Sequence, residues 1–186
     1  ILATGTQRLT IDGLSIDTDR DGIDLDCVRD VLVERCRVNS PNDDAIVVKS
    51  SYALGRAIAA ENILIRDCDV SGYDMGSMLD GTRGTTQQVA PDQDRVTGRI
   101  KLGTESNGGY RNIRIEDCRF TRSRGLALET VDGGAMEHIV ARRLTLRDVT
   151  TAPLFLRLGD RRRGPQDTGI GMIRDVEISE VDARGI

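Results

Sequence analysis

Short runs of alternating apolar and polar residues recur along the whole chain in a fixed order. Six segments share one template, beginning at Gln7 (QRLTIDGLSI), Arg29 (RDVLVERCRV), Glu61 (ENILIRDCDV), Arg111 (RNIRIEDCRF), Glu137 (EHIVARRLTL) and Arg174 (RDVEISEVDA). The third and fifth residues of each are apolar and the eighth and tenth mostly small or apolar, which predicts a strand of period two with a kink in its middle. A second alternating strand follows in five places: DGIDLD, DAIVVK, GRIKLG, RGLALE and APLFLR. Side chains of one parity face one way, so Ile23/Leu25, Ile46/Val48, Ile100/Leu102, Leu126/Leu128 and Leu154/Leu156 are expected on a shared inward face.

The template starts lie 22, 32, 50, 26 and 37 residues apart. A period of this size, two or three short strands per repeat and insertions confined to one place predict an all-β parallel β-helix of about six coils. Its stacked coils would bury one continuous core. The leucine-rich consensus of other solenoids is absent, and no segment between strands carries the pattern of an amphipathic helix. The whole of 1–186 reads as one domain with an inserted loop at about 74–97. That loop is polar and glycine-rich, and a long loop in a compact repeat is more often a binding element than an accident. The chain opens within a strand-like segment and without an initiator Met, so it reads as the interior of a longer precursor.

Composition sharpens this picture. Aromatic residues make up 3% and Trp is absent, while Gly reaches 20, which suits many short strands. Thirty acidic and 26 basic residues are interspersed for a net charge of −4, so the basic face that nucleic acid needs is not expected. No apolar run is long enough to span a membrane. Cys36, Cys68 and Cys118 fall at one template position and Cys27 elsewhere, without a Cys-x-x-Cys pair. Buried free thiols are therefore expected rather than disulfides or a zinc site. The second template position holds Asp30, Asn62, Asn112, His138 and Asp175, read as a stacked ladder in the turn before each strand. His138, the only histidine, is assigned to that ladder.

Aligning the second strands places side chains in columns, and the position two before the first inward residue holds Asp21, Asp44, Gly98, Arg124 and Ala152. Asp21 and Asp44 then stand on adjacent coils with Asp43 beside them. Carboxylates one strand spacing apart repel, so the group must hold a proton, a cation or a polarised water. Two acids that deprotonate a water, beside a third that protonates a leaving oxygen, are what inverting glycoside hydrolysis requires; acid and base oxygens are then expected about 6.5–9.5 Å apart. A Ca²⁺ site is the competing chemistry for clustered Asp oxygens.

At these residues the chain resembles the polygalacturonases of glycoside hydrolase family 28. That family carries an Asn-Thr-Asp-Gly-Ile-Asp motif and an Asp-Asp motif one coil later. Here they read Asp19-Arg20-Asp21-Gly22-Ile23-Asp24 and Asn42-Asp43-Asp44-Ala45-Ile46. The resemblance implies a right-handed parallel β-helix, Asp21 and Asp44 as the water-activating pair and Asp43 as general acid, with no metal and no cofactor. It also implies a pectin-derived, galacturonate-containing poly- or oligosaccharide as substrate, cell-wall pectin degradation as setting, and a secreted or periplasmic location. Family members generally have more coils and an N-terminal helical cap. Its absence from this chain leaves an open end at which copies are expected to associate end to end.

The departures define further candidates. Asp19 stands where the family usually has Asn, adding a carboxylate at the substrate site. The family's Gly-His-Gly is replaced by Gly72-Tyr73-Asp74 ahead of the insertion; Tyr73, Asp74 and Thr97 are the candidates for the place the histidine leaves, none of them able to copy an imidazole, and Tyr73 is read as substrate-binding. The family's uronate-gripping Arg-Ile-Lys is replaced by Ala127-Leu128-Glu129, yet Arg99-Ile100-Lys101 occurs one coil earlier. Arg99 and Lys101 are therefore read as a relocated grip, or as a salt bridge to Glu129 or Glu105 that only stabilises the wall. Arg124 would face an anionic sugar. The basic run at Arg157, Arg161, Arg162 and Arg163 is read as a solvated loop. Two other functions stay open: a carbohydrate-binding β-helix without turnover, and a Ca²⁺-dependent pectate lyase.

Overall fold

The computed structural model describes residues 1–86, 95–165 and 168–185. In chain order the strands are β1 (Leu2–Thr4), β2 (Gln7–Asp12), β3 (Ser15–Asp17), β4 (Ile23–Asp26), β5 (Arg29–Glu34), β6 (Arg37–Asn39), β7 (Ile46–Ser50), β8 (Ala60–Arg66) and β9 (Asp69–Ser71). A single helical turn, α1 (Ser77–Asp80), precedes β10 (Ile100–Ser106), β11 (Tyr110–Glu116), β12 (Arg119–Thr121), β13 (Leu126–Thr130), β14 (Ala135–Arg147), β15 (Leu154–Leu158) and β16 (Met172–Arg184).

Every strand pairing is parallel, and each joins a strand to its counterpart in a neighbouring repeat. One sheet runs β1-β4-β7-β10-β13-β15; the other runs β2-β5-β8-β11-β14-β12-β9-β6-β3, with β16 paired to β14. The register is the one the alternation predicts. Ile23, Ile46, Ile100, Leu126 and Leu154 form one column, and the template starts Gln7, Arg29, Glu61, Arg111, Glu137 and Arg174 form another. A slip of one residue would turn each buried column out to solvent, so the alternation fixes the stack. The inward columns join one core that includes Ile23, Ile46, Ile100, Leu126, Val33, Ile65, Ile115 and Phe120. Leu156 departs from expectation: it is 48% exposed because β15 ends its sheet and no strand covers it.

The template's kink and its polar second position both have a backbone cause. Arg8, Asp30, Asn62, Asn112, His138 and Asp175 all have φ between 53° and 56°. They lie within strands rather than in turns before them, which corrects the expectation. Pairing steps over them, from Arg29↔Glu61 to Val31↔Ile63. The left-handed conformation, easiest for Asn and Asp among residues with a Cβ, turns the side chains into a ladder. Asn62 Nδ2 donates to Asp30 Oδ1 and Asn112 Nδ2 to Asn62 Oδ1, both at 2.9 Å. His138 lies in this ladder, exposed, with Nδ1 3.6 Å from Asp175. At the kink Arg35, Asp67, Asp117, Arg143 and Glu180 adopt the same left-handed φ. Cys36, Cys68 and Cys118 follow it inside the core, and all four cysteines are free and buried.

The insertion leaves β9 and packs along the corner that precedes the six-stranded sheet; its residues 87–94 lie outside the described residues. Asn39 Nδ2 donates to the Tyr73 carbonyl and Asn39 Oδ1 accepts the Tyr73 N–H. The Asp17 carboxylate accepts the N–H groups of Gly76 and Met78 at the start of α1, and Asp74 Oδ2 accepts the Thr86 N–H. These polar anchors hold the first half of the loop beside the ends of β3 and β6.

Candidate active site

The strands β4 and β7 begin side by side, and the turns that feed them carry the acids. Gly22 brings these turns close: a Cβ there would lie 2.3 Å from Val38 Cγ1 and 2.7 Å from the Ala45 carbonyl oxygen. With only hydrogen in that space, the Gly22 N–H donates to the Asp44 carbonyl at 3.0 Å and locks the two turns together. Asp21, Asp43 and Asp44 consequently converge, with one oxygen of each within 4.8 Å of the others. This is tighter than the 6.5–9.5 Å expected for an acid and base holding water between them.

Carboxyls set this close share a proton at mildly acid pH. Asp43 lies against Asp21, and its carboxyl is pushed up from 3.8 to about 6, chiefly by burial, then by its hydrogen bond to Asp21 and by the Asp21 charge; the Asp44 N–H acts the other way. Asp21 Oδ1 is buried and receives no N–H or hydroxyl, so the Asp21 carboxylate has room for a further donor. Asp43 Oδ1 accepts the Asp44 N–H at 2.9 Å, which orients the carboxyl.

The other acids are gripped by cations. Arg99 Nε reaches Asp44 Oδ1 at 2.7 Å, and Lys101 Nζ reaches Asp44 Oδ2 at 3.4 Å. The same two side chains stand 3.9 and 3.8 Å from Glu129, which Arg157 also approaches at 3.8 Å. Lys49 Nζ lies 2.7 Å from both Asp21 and Asp24. Burial pushes the Asp24 carboxyl up, opposed by Lys49. Asp21, Asp24, Asp44 and Glu129 thus each face at least one of Lys49, Arg99, Lys101 and Arg157. Three converging carboxylates could reach a cation, but Asp oxygens already held by Arg and Lys are poor ligands for Ca²⁺.

The remaining candidates fall at different distances from this chemistry. Arg99 and Lys101 stand in the cluster, engaged with Asp44 and Glu129 rather than projecting freely. Arg124 is buried and donates to the backbone carbonyls of Arg95 and Val96, so it ties down the end of the insertion. Asp19 is exposed on the rim of the Asp21 turn, and Tyr73 is half-buried and positioned through its backbone. In the basic run, Arg161 grips Asp132 at 2.6 Å and Arg162 pairs with Asp160 at 3.2 Å. A cavity of about 530 Å³ opens beside them, lined by Asp132, Arg163, Pro165 and Thr168, near the far ends of β13 and β15 and away from the acids. Lys49, Asp24 and Glu129 were not singled out as site residues by the sequence. The signal for Lys49 was its register beside Asp26, which puts it on the outward face next to Asp24.

Compared with family models, with curated proteins and with solved structures, the chain matches none.

Proposed function

We propose that the chain winds as a right-handed parallel β-helix and is a polygalacturonase-like glycoside hydrolase of the family 28 type. In this reading it cleaves, with inversion, a pectin-derived, galacturonate-containing poly- or oligosaccharide outside the cytoplasm. The observation that carries the proposal is the division of labour among three converging acids: the Asp43 carboxyl, raised to about 6, keeps its proton into the mildly acid range, while Asp44 and Asp21 are paired with cations. Asp43 gives its proton to the glycosidic oxygen as that bond breaks. A water donating one hydrogen bond each to Asp21 and Asp44 keeps a lone pair for the anomeric carbon, and one of the two carboxylates takes its proton. A lone nucleophile would leave the second of these carboxylates without a role. The cations along the same face, with Arg157 the most exposed, suit an acidic glycan.

The short separation of the acids favours a second reading, retention through a glycosyl-enzyme intermediate. Incubating the protein with a panel of pectic oligosaccharides, and following products by mass and by the anomeric signals of the first-formed sugar, tests both. Inversion is expected, with loss of at least 100-fold in kcat for Asp43→Asn and Asp44→Asn. Full activity of both variants would overturn the assignment; retention would replace water with a carboxylate nucleophile. Glycan binding without new reducing ends would mark a binding module, and an unsaturated product lost on adding chelator would mark a lyase.

A further inference from the structure

We propose that Lys49 is the positioning residue of the acid cluster: its ammonium, fixed between Asp21 and Asp24, keeps Asp21 charged and so directs the shared proton onto Asp43. This rests on the hydrolytic reading for its purpose, but the proton's location belongs to the resting protein and can be read without substrate.

The geometry is specific. Lys49 leaves β7 in register with Asp26, and its stem reaches back across the strand pair, so that Nζ is equidistant, at 2.7 Å, from Asp21 Oδ2 and Asp24 Oδ2. The Lys49 side chain is only 20% exposed, so the interaction is weakly screened compared with a surface pair. The second oxygens, Asp21 Oδ1 and Asp24 Oδ1, are buried and receive no N–H or hydroxyl. Asp21 therefore has a cation on one oxygen, and the Asp43 carboxyl lies against the same side chain.

Two facing carboxyls share one proton, and it settles on the partner with the less positive surroundings. The charged groups facing the pair are Asp24 and Asp26 from β4, Lys49, Asp43 and Asp44 from β7 and its turn, and Arg99 and Lys101 from β10. The two β10 cations are spent on Asp44 and Glu129, and among the described residues Asp43 has no cation within 4 Å. Lys49 is the one cation within 4 Å of either member of the pair among the described residues, and it acts in the same direction as the burial of Asp43. Asp24 has no place in the proton path; its carboxylate stops the ammonium from swinging out to water.

The test is a titration of the full chain, ¹³C-labelled at the Asp carboxyl carbons, between pH 4 and 8, for the natural protein, Lys49→Met and Lys49→Arg. In the natural protein the near-neutral step should be carried by the Asp43 signal. In Lys49→Met that step should rise by about one pH unit, a tenfold change in proton affinity at the low end of what one nearby opposite charge supplies. Asp21 should then carry a share of the change comparable to Asp43. Lys49→Arg should restore the natural pattern. Should Lys49→Met fail to fold, Asp24→Asn keeps the cation and removes its anchor, and a smaller shift in the same direction is expected. An Asp43 step unmoved in whichever of these variants is folded would reduce Lys49 to a structural tie and overturn the proposal. If no glycan is cleaved, the hydrolytic reading falls while the titration still decides the role of Lys49.

Discussion

Replacing Asp43 with Asn should stabilise the protein at alkaline pH while removing the proton donor. The Asp43 carboxyl is held near 6 in the fold against 3.8 when free, first by burial and then by Asp21. Between those two values the folded chain binds more protons than the unfolded chain, so stability falls as pH rises across that window. The contribution is fully present below about pH 3.8 and lost once pH passes about 6. A difference of about two pH units corresponds to ~3 kcal/mol at 1.36 kcal/mol per unit. Asp43 is only half-buried, and solvent screening brings this to ~1–2 kcal/mol. Asn has the same shape, can accept the Asp44 N–H through its carbonyl and can donate its amide to Asp21, but it carries no charge. Urea unfolding followed by circular dichroism should find Asp43→Asn and the natural protein within ~0.5 kcal/mol at pH 4. At pH 8 the variant should be more stable by ~1–2 kcal/mol. A gap of the same size at both pH values, or a natural protein that is the more stable at pH 8, would show that Asp43 is not held protonated by its surroundings. The expected pattern is the usual trade between stability and a strained, charged site.

Gly22→Ala places a methyl 2.3 Å from Val38 and 2.7 Å from the Ala45 carbonyl, so melting should show a loss of ~1–3 kcal/mol, with hydrolysis falling as the Asp21 turn is pushed off the Asp44 turn. Arg99→Met removes the closest cation of a buried carboxylate; denaturant unfolding at pH 7 should show a loss of ~3–5 kcal/mol, and an unchanged stability would show that Lys101 alone suffices to hold Asp44. Excess chelator should leave both Tm and hydrolysis unchanged, because Lys49, Arg99 and Lys101 already hold oxygens of Asp21 and Asp44; a chelator-induced drop in either would reveal a bound divalent ion.

Much of the fold could be read from the sequence because a stack of parallel strands repeats its alternation every time the chain returns to the same column. Leu9, Val31, Ile63, Ile113, Ile139 and Val176 announce their column by polarity alone. The convergence of Asp21 and Asp44 followed from the same register. What the alternation could not supply was the backbone at the second template position, where a left-handed residue continues a strand instead of ending a turn. It also could not supply the direction of long side chains. Arg99 and Lys101 were legible as cations near the acids, but whether they face outward or curl onto Asp44 and Glu129 is a rotamer choice. Lys49 reaches diagonally across two strands to Asp21, a contact that has no signature along either strand. The separation of the acids is likewise absent from the alternation, because it is set by the close approach of the two turns at Gly22.

Register and chemistry are therefore one property of this chain. Asp21 and Asp24 come from one repeat, Asp43, Asp44 and Lys49 from the next, Arg99 and Lys101 from the third and Glu129 from the fourth, so no single repeat holds a balanced set. An unpaired carboxylate buried on the outer face of one repeat would cost several kcal/mol, and each is relieved by a cation from its own or an adjacent repeat. The ionic partners thus favour the same stacking that the Ile and Leu columns favour. A mis-stacked chain that preserved hydrophobic burial by slipping two residues, which keeps the facing of every side chain, would still strand Asp44 away from Arg99 and Asp21 away from Lys49. The buried charges of the acid cluster also exclude a class of register error that the apolar pattern tolerates.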